Sequence, residues 1–144
     1  MILRAEKENL AQAAALAAEL WPEHSPAELL AEFEQVSGAG GVLFLAMEGG
    51  IPVGFAQCQL RHDYVEGTEH SPVGYLEGVY VRTDCRGKGM AKELLAACEN
   101  WAKGRGCLEF ASDCELTNKD SLRFHLNVGF REANRIICFV IELN

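Results

Sequence analysis

The chain has 144 residues, of which 49% are hydrophobic and 24% charged, with a formal net charge of −8. That is enough chain for one soluble domain with a proper core, and no apolar run approaches a membrane span. The acidity argues against nucleic acid as a partner and suits a cationic one, although solubility alone accounts for such a charge equally well.

In chain order, Met1 to Lys7 lack the charged region, apolar core and cleavage site of a secretory leader, so a cytoplasmic location is expected. Ile2-Leu3-Arg4 reads as a short opening strand. Leu10, Ala13, Ala14, Ala17 and Leu20 share one face of a helix over residues 8–20, which Trp21-Pro22 ends because proline cannot continue it. Ser25-Pro26-Ala27-Glu28 starts a second helix: Ser25 caps, Pro26 takes the first helical position and Glu28 completes a capping box. Gly38-Ala39-Gly40-Gly41 stops it. Val42 to Met47 and Ile51 to Leu60 flank Glu48-Gly49-Gly50 as a β-hairpin. Residues 62–72 form a polar loop, long for a link between antiparallel strands, which suits either a functional loop or a solvated one.

Tyr75 to Val81 has the β-branched and aromatic content of a strand, and strand period puts residues 75, 77, 79 and 81 on one face. After the turn at residues 86–91, apolar residues at 91, 94, 95, 98, 101 and 102 give helical spacing, ended by Gly104-Arg105-Gly106. Cys107 to Ser112 is the next strand, with Asp113 at its carboxyl end. Strand, helix, strand implies a right-handed crossover and a parallel pair. Ligands of such sheets sit beyond the carboxyl ends of the strands, so Asp113 and the glycine-rich turn share an edge. Thr117 or Asn118 caps a further helix that runs to Val128 and closes at Gly129. Arg135 to Leu143 reads as a last apolar strand, with room for a short one at Gly129-Phe130-Arg131. The expected order is β-α-α-β-β-β-α-β-α-β in a single domain over residues 1–144. The six cysteines contain no C-x-x-C pair and read as reduced, core-filling thiols. The four histidines are scattered without zinc spacing, so no metal is expected.

The turn Arg86-Gly87-Lys88-Gly89-Met90-Ala91 feeds a helix N-terminus, where free backbone N–H groups and the helix dipole bind phosphate, and Arg86 and Lys88 add charge. It is not a P-loop, and Lys92 stands where a dinucleotide fingerprint has its third glycine. It does match R-x-x-G-x-A, and in this it resembles the pyrophosphate loop of the GNAT superfamily of acetyl-CoA-dependent N-acetyltransferases. The element order, Asn118 at the head of the late helix and the Val128-Gly129-Phe130 ending are similar to that superfamily as well. The resemblance implies a GNAT acyl-CoA N-acyltransferase fold of the α/β class. Its central mixed sheet splays between the two strands around the acetyl-CoA site and is flanked by about four helices, as read above.

Glu77 and Gly78 stand out inside their strand. An unpaired buried carboxylate is costly, so Glu77 either pairs with an arginine or faces a substrate amine as a catalytic base through water or as an anchor. A glycine in a strand marks a bulge or a close backbone approach. The resemblance implies that the backbone of Val79, Tyr80 and Val81 pairs with the pantetheine arm of acetyl-CoA, with the Val79 N–H as oxyanion donor. It also implies that Arg86, Gly87, Lys88, Gly89, Met90, Ala91 and Lys92, together with Asn118, hold the rest of acetyl-CoA. Asp113 suits a turn or cap as well as an amine site.

Five blocks sharpen the resemblance: Trp21-Pro22-Glu23-His24, residues 61–67, Ser71-Pro72-Val73, Leu76-Glu77-Gly78-Val79 and Ala111-Ser112-Asp113. Together they look like the aminoglycoside 6′-N-acetyltransferases, which inactivate these antibiotics by acetylating the 6′-amine. Carried over, Trp21, His24, Tyr64, Glu77 and Asp113 are drug-contacting positions. Carboxylates suit the drug's ammonium groups and aromatic faces suit its sugar rings. Two positions depart from the pattern. His125 stands where many GNAT enzymes have a tyrosine as proton donor to the leaving thiolate, a role histidine can fill. Asn134 stands where related enzymes can carry an acidic residue. The resemblance also implies a homodimer. Acetylation of another cationic amine, such as a polyamine or a peptide N-terminus, and a non-catalytic acetyl-CoA-binding module remain open alternatives.

Overall fold

The computed structural model describes residues 1–144. Five strands form one sheet in the order β1 (Ile2–Arg4), β2 (Val42–Glu48), β3 (Ile51–Arg61), β4 (Val73–Val81) and β5 (Phe110–Ser112). The first four pair antiparallel, and β5 runs parallel to β4. The helices are α1 (Leu10–Leu20), α2 (Pro26–Gly38), α3 (Met90–Gly104) and α4 (Lys119–Asn127).

The capping box at α2 forms as its spacing predicts: the Glu28 N–H donates to Ser25 Oγ at 3.2 Å, and the Ser25 N–H to Glu28 Oε1 at 3.1 Å. Strand alternation then divides the apolar residues between two layers. Leu43, Leu45 and Phe55 turn to one face and pack with Leu10, Ala13, Ala14, Leu16 and Ala17 of α1 and Leu29 and Phe33 of α2. Val42, Ala46, Ala56, Cys58, Leu76 and Val81 turn to the other and pack with Leu94, Leu95, Cys98, Trp101 and Ala102 of α3. All six cysteines are free thiols; Cys58, Cys85, Cys98 and Cys107 are buried, whereas Cys114 and Cys138 are exposed.

Three expectations are corrected. Residues 107–109 are not strand. The Cys107 N–H still bonds back to the Ala102 carbonyl of the helix end, and pairing with β4 begins only at Phe110. The even spacing of Tyr75, Glu77, Val79 and Val81 does not put them on one face, because β4 carries a β-bulge. Gln57 pairs with Gly78 and Cys58 with Leu76, which leaves Glu77 without a partner. An extra residue resets the alternation, so Val81 joins the α3 layer while Tyr75 packs in a separate cluster with Val65 and Val73. Finally, neither Gly129–Arg131 nor Arg135–Leu143 pairs as a strand. The last segment pairs with neither open edge of the sheet, and Ile136, Ile137, Phe139, Val140, Ile141 and Leu143 are 67–91% exposed.

Candidate functional site

The site is organised by what happens to β4 at its midpoint. The parallel pairing with β5 covers only Gly74↔Phe110, Tyr75↔Ala111 and Leu76↔Ser112. From Glu77 to Val81, β4 stays paired with β3 on one side only, apart from the bulged Glu77, and a gap opens on the other. At the same point the bulge redirects Glu77. Gly78 is required there by close approach, since a Cβ would lie 2.8 Å from two carbons of the Trp21 indole. Trp21 follows α1 and packs its ring 5.6 Å from that of Phe55. It is thus both a half-buried edge of the core and a wall over the bulge.

Before the bulge, side chains from β3 and β4 form one connected network. Arg61 donates from Nη2 to both Glu77 oxygens, at 2.9 and 3.0 Å, and Gln59 Nε2 donates to Oε2 at 2.5 Å. The Arg61 guanidinium carbon lies over the Tyr75 ring, 3.4 Å from its centre. The Tyr75 hydroxyl donates to Asp113. Burial, and then that hydrogen bond, push the Tyr75 hydroxyl above its ordinary pKa, so it keeps its proton and remains the donor. Glu77 therefore takes the arginine-paired of its two expected forms, and Asp113 is linked to it through Tyr75 and Arg61.

A groove of about 1070 Å³ opens at this end of the sheet. Arg61, Tyr64, Asp113, His125 and Asn134 border it, whereas Trp21, His24 and Glu77 do not. Tyr64 is 76% exposed on the 62–72 loop. Asn134 Nδ2 donates to Glu66 Oε1 at 2.8 Å, which ties the loop to the segment after α4. His24 is not drawn into this network; its ring turns to Glu23 and Glu28. The loop is held from below by Glu109, whose Oε1 accepts from the Glu69 and His70 N–H groups at 2.9 Å and meets His70 Nδ1 at 2.8 Å. These contacts, the Glu69 N–H foremost, hold the Glu109 carboxyl below its ordinary range.

His125 on α4 reaches the start of the gap. Its Nδ1 lies 2.7 Å from the Ser121 carbonyl, so Nδ1 carries the proton, and Nε2, 2.8 Å from Ser112 Oγ, accepts from that hydroxyl. Ser112 is the last residue paired with β4 and also lies 3.3 Å from the Leu76 carbonyl.

On the far side of the bulge the groups on offer are mostly backbone. Gly87 and Gly89 both have φ of +81°, and no atom lies within 4 Å of where their Cβ would be. Gly89 is the N-cap of α3 without a side-chain cap bond, so the first N–H groups of that helix stay open. Arg86 Nε donates to the Val81 carbonyl at 2.8 Å, which pins the turn to β4. Lys88 leans on Glu48 at 3.2 Å. Asn118 caps α4 through Oδ1, which accepts from the Ser121 N–H at 3.1 Å and leaves its amide nitrogen free.

The acetyltransferase (GNAT) family matches residues 7–130 of this sequence. The chain belongs to the GNAT acetyltransferases. An aminoglycoside N(6′)-acetyltransferase type 1 of Salmonella enteritidis is 39% identical over 139 residues, 96% of each chain. Aminoglycoside N-acetyltransferase AAC(6′)-Iy in complex with CoA superposes with a TM-score of 0.95 at 38% identity, covering 99% of this chain and 95% of that one. AAC(6′)-Iy in complex with the bisubstrate analogue CoA-S-monomethyl-acetylneamine gives 0.94 at 38% identity, covering 99% and 98%. For a GNAT protein the gap beside β4 and the uncapped α3 N-terminus are the features an acyl-CoA needs. The open space at Gly87 and Gly89 leaves the backbone free to approach a pyrophosphate. Residue types and spacing alone did not single out Gln59, Tyr75, Glu109 or Ser112. The one available signal for Gln59 was polar alternation with Arg61 at the end of an otherwise apolar strand.

Proposed function

We propose that this chain is an aminoglycoside 6′-N-acetyltransferase that moves an acetyl group from acetyl-CoA to the 6′-amine in a ternary complex. The observation that carries this reading is the adjacency, across one bulge, of an open β4 backbone next to a phosphate-cradling turn and a carboxylate-bearing groove. The similarity to enzymes that bind CoA and a CoA–neamine conjugate supports the same pairing of substrates.

Acetyl-CoA supplies an activated acyl group. The N–H groups of residues 87–92 and the α3 dipole bind its pyrophosphate, with the free Arg86 nitrogens and Lys88 adding charge and Asn118 a side-chain amide. The backbone of Val79, Tyr80 and Val81 aligns the pantetheine arm, and the Val79 N–H faces the oxygen on which charge builds. The Val81 carbonyl already accepts from Arg86 Nε, so it serves mainly to fix the turn. On the acceptor side Asp113 binds an ammonium, Tyr64 offers a flat face to a sugar ring within the groove, Trp21 offers a second one outside it over the bulge, and Glu77 orders the wall behind them. His24 and Asn134 make outer contacts. A neutral amine attacks directly, so no protein nucleophile is needed. As the C–N bond forms and the C–S bond breaks, the proton shed by the nitrogen is taken up at His125 Nε2, which faces the Ser112 hydroxyl, and passes by way of that hydroxyl to the leaving thiolate. Release of CoA thiol from purified protein with kanamycin or tobramycin is the expected result. Preference for spermidine or a peptide over every aminoglycoside would overturn the reading, and no turnover with any amine would favour a binding module.

The same reading takes residues 1–144 as one GNAT domain acting in the cytoplasm to confer antibiotic resistance. No helix is long and apolar enough to cross a membrane. It also takes the chain as a homodimer. The exposed apolar segment after Arg135 supports this, as does the edge of β5, which is paired on one side only. The β5 edge of a second copy can take up the C-terminal segment that pairs with no strand of its own chain. Light scattering should give twice the 15.8 kDa chain mass; a monomer with an unaltered, soluble C-terminus would contradict it.

A further inference from the structure

Arg61 ends β3 with its side chain 41% exposed at the border of the groove. Only its Nη2 is engaged, on the two oxygens of Glu77. The Nε–H and both Nη1–H groups have no partner within the chain, and the guanidinium is held over the Tyr75 ring. An ammonium that approaches Glu77 meets a carboxylate already bonded by Arg61 and Gln59, with a fixed positive charge beside it. A hydroxyl or ring oxygen that approaches the same place meets unused donors. Asp113, by contrast, carries only the neutral Tyr75 hydroxyl and stays open to a cation. Arg131 and Arg135 also border the groove; Arg135 is paired with Glu132, and neither is hydrogen-bonded to Tyr75, Glu77 or Asp113.

We propose that Arg61 is a specificity-determining residue that selects a hydroxyl-rich amino sugar over a linear polyamine. At this one place it donates hydrogen bonds to sugar oxygens, where a linear polyamine can present only methylenes or a further ammonium that the guanidinium repels, so attraction and exclusion come from one side chain. Glu77 is then the group that positions Arg61, and Asp113 is the ammonium anchor. The inference rests on the aminoglycoside reading of this site.

The test compares wild type, Arg61→Gln and Arg61→Lys by kcat/KM for kanamycin and by the inhibition constant of spermidine against kanamycin, with thermal melting as a check on folding. Arg61→Gln should lower kanamycin kcat/KM by about tenfold, as expected for lost charge-assisted hydrogen bonds, and should tighten spermidine inhibition. Arg61→Lys keeps the charge without the stacked fork, so kanamycin kcat/KM should fall while spermidine stays weak. If Arg61→Gln does not fold, the lysine variant alone carries the test, and an unchanged kanamycin kcat/KM in it overturns the proposal. Weaker binding of kanamycin and spermidine by the same factor in both variants would mean that Arg61 only supports the fold, and overturns the proposal alone. A wild type that prefers spermidine to kanamycin as substrate overturns the acceptor reading and this inference together.

Discussion

The two halves of β4 solve opposite problems. Beyond the bulge, Gly78 to Val81 and the turn after it offer backbone: open strand groups, two left-handed glycines and an uncapped helix start. Before the bulge, Tyr75 and Glu77 belong to a side-chain network that crosses to Gln59 and Arg61 on β3 and to Asp113 beyond β5. Backbone suits a donor whose pyrophosphate and amide groups never change. Side chains suit an acceptor that must be told apart from other amines. One extra residue in one strand separates the two.

The largest effect that would sharpen this contrast is on the acceptor half. Replacing Asp113 with Asn removes the open carboxylate and should lower acceptor kcat/KM roughly 10- to 100-fold, the worth of one charge-assisted hydrogen bond. Acetyl-CoA affinity should not move, and calorimetry of acetyl-CoA binding checks that. Gly78→Ala attacks the boundary itself. Its methyl would sit 2.8 Å from the Trp21 ring, and overpacking of this kind costs about 1–3 kcal/mol. A lower thermal midpoint with poorer KM for both substrates is expected; a loss confined to one substrate breaks the claim that the two halves meet there. Gly89→Val forces a branched side chain to φ of +81°, a strain of about 1–2 kcal/mol. It should weaken acetyl-CoA binding several-fold and spare the acceptor.

The smallest effect concerns pH. The Glu109 carboxyl is held below its ordinary value of 4.5, chiefly by the Glu69 N–H and then by the His70 side chain. A depressed carboxyl stabilises the folded form above its unfolded pKa, and that contribution is lost as pH falls through the folded value. The protection of residues 62–72 against hydrogen exchange, taken relative to the intrinsic rate at each pH, should therefore fall as pH drops below the ordinary carboxyl value of 4.5, and Glu109→Gln should lower it already at neutral pH. Exchange that ignores both changes would show that the loop is held by something else.

The turn and helix start of the second half were largely legible in the sequence because their geometry is local. The glycines, the turn and the helix start lie within seven residues, and the resemblance to GNAT loops rests on that stretch. The acceptor half was legible only as separate residues. Glu77 and Asp113 stood out as carboxylates at strand positions, yet the link between them runs through Tyr75 and Arg61, and that link depends on cross-strand register. The bulge hid the register: strict alternation put Glu77 with Val79 and Val81, and the structure separates them. The C-terminal segment shows the reverse error. Its composition is that of a strand, but a strand needs a partner edge, and composition does not say which chain supplies it.

The central claim is that the acceptor half holds an amino sugar with its 6′-amine at the gap. NMR of the product formed from kanamycin and acetyl-CoA tests it most directly. A single product acetylated at the 6′ nitrogen is predicted. Acetylation at another amine, a mixture of positions, or no acetylated drug from protein that still binds acetyl-CoA would contradict it.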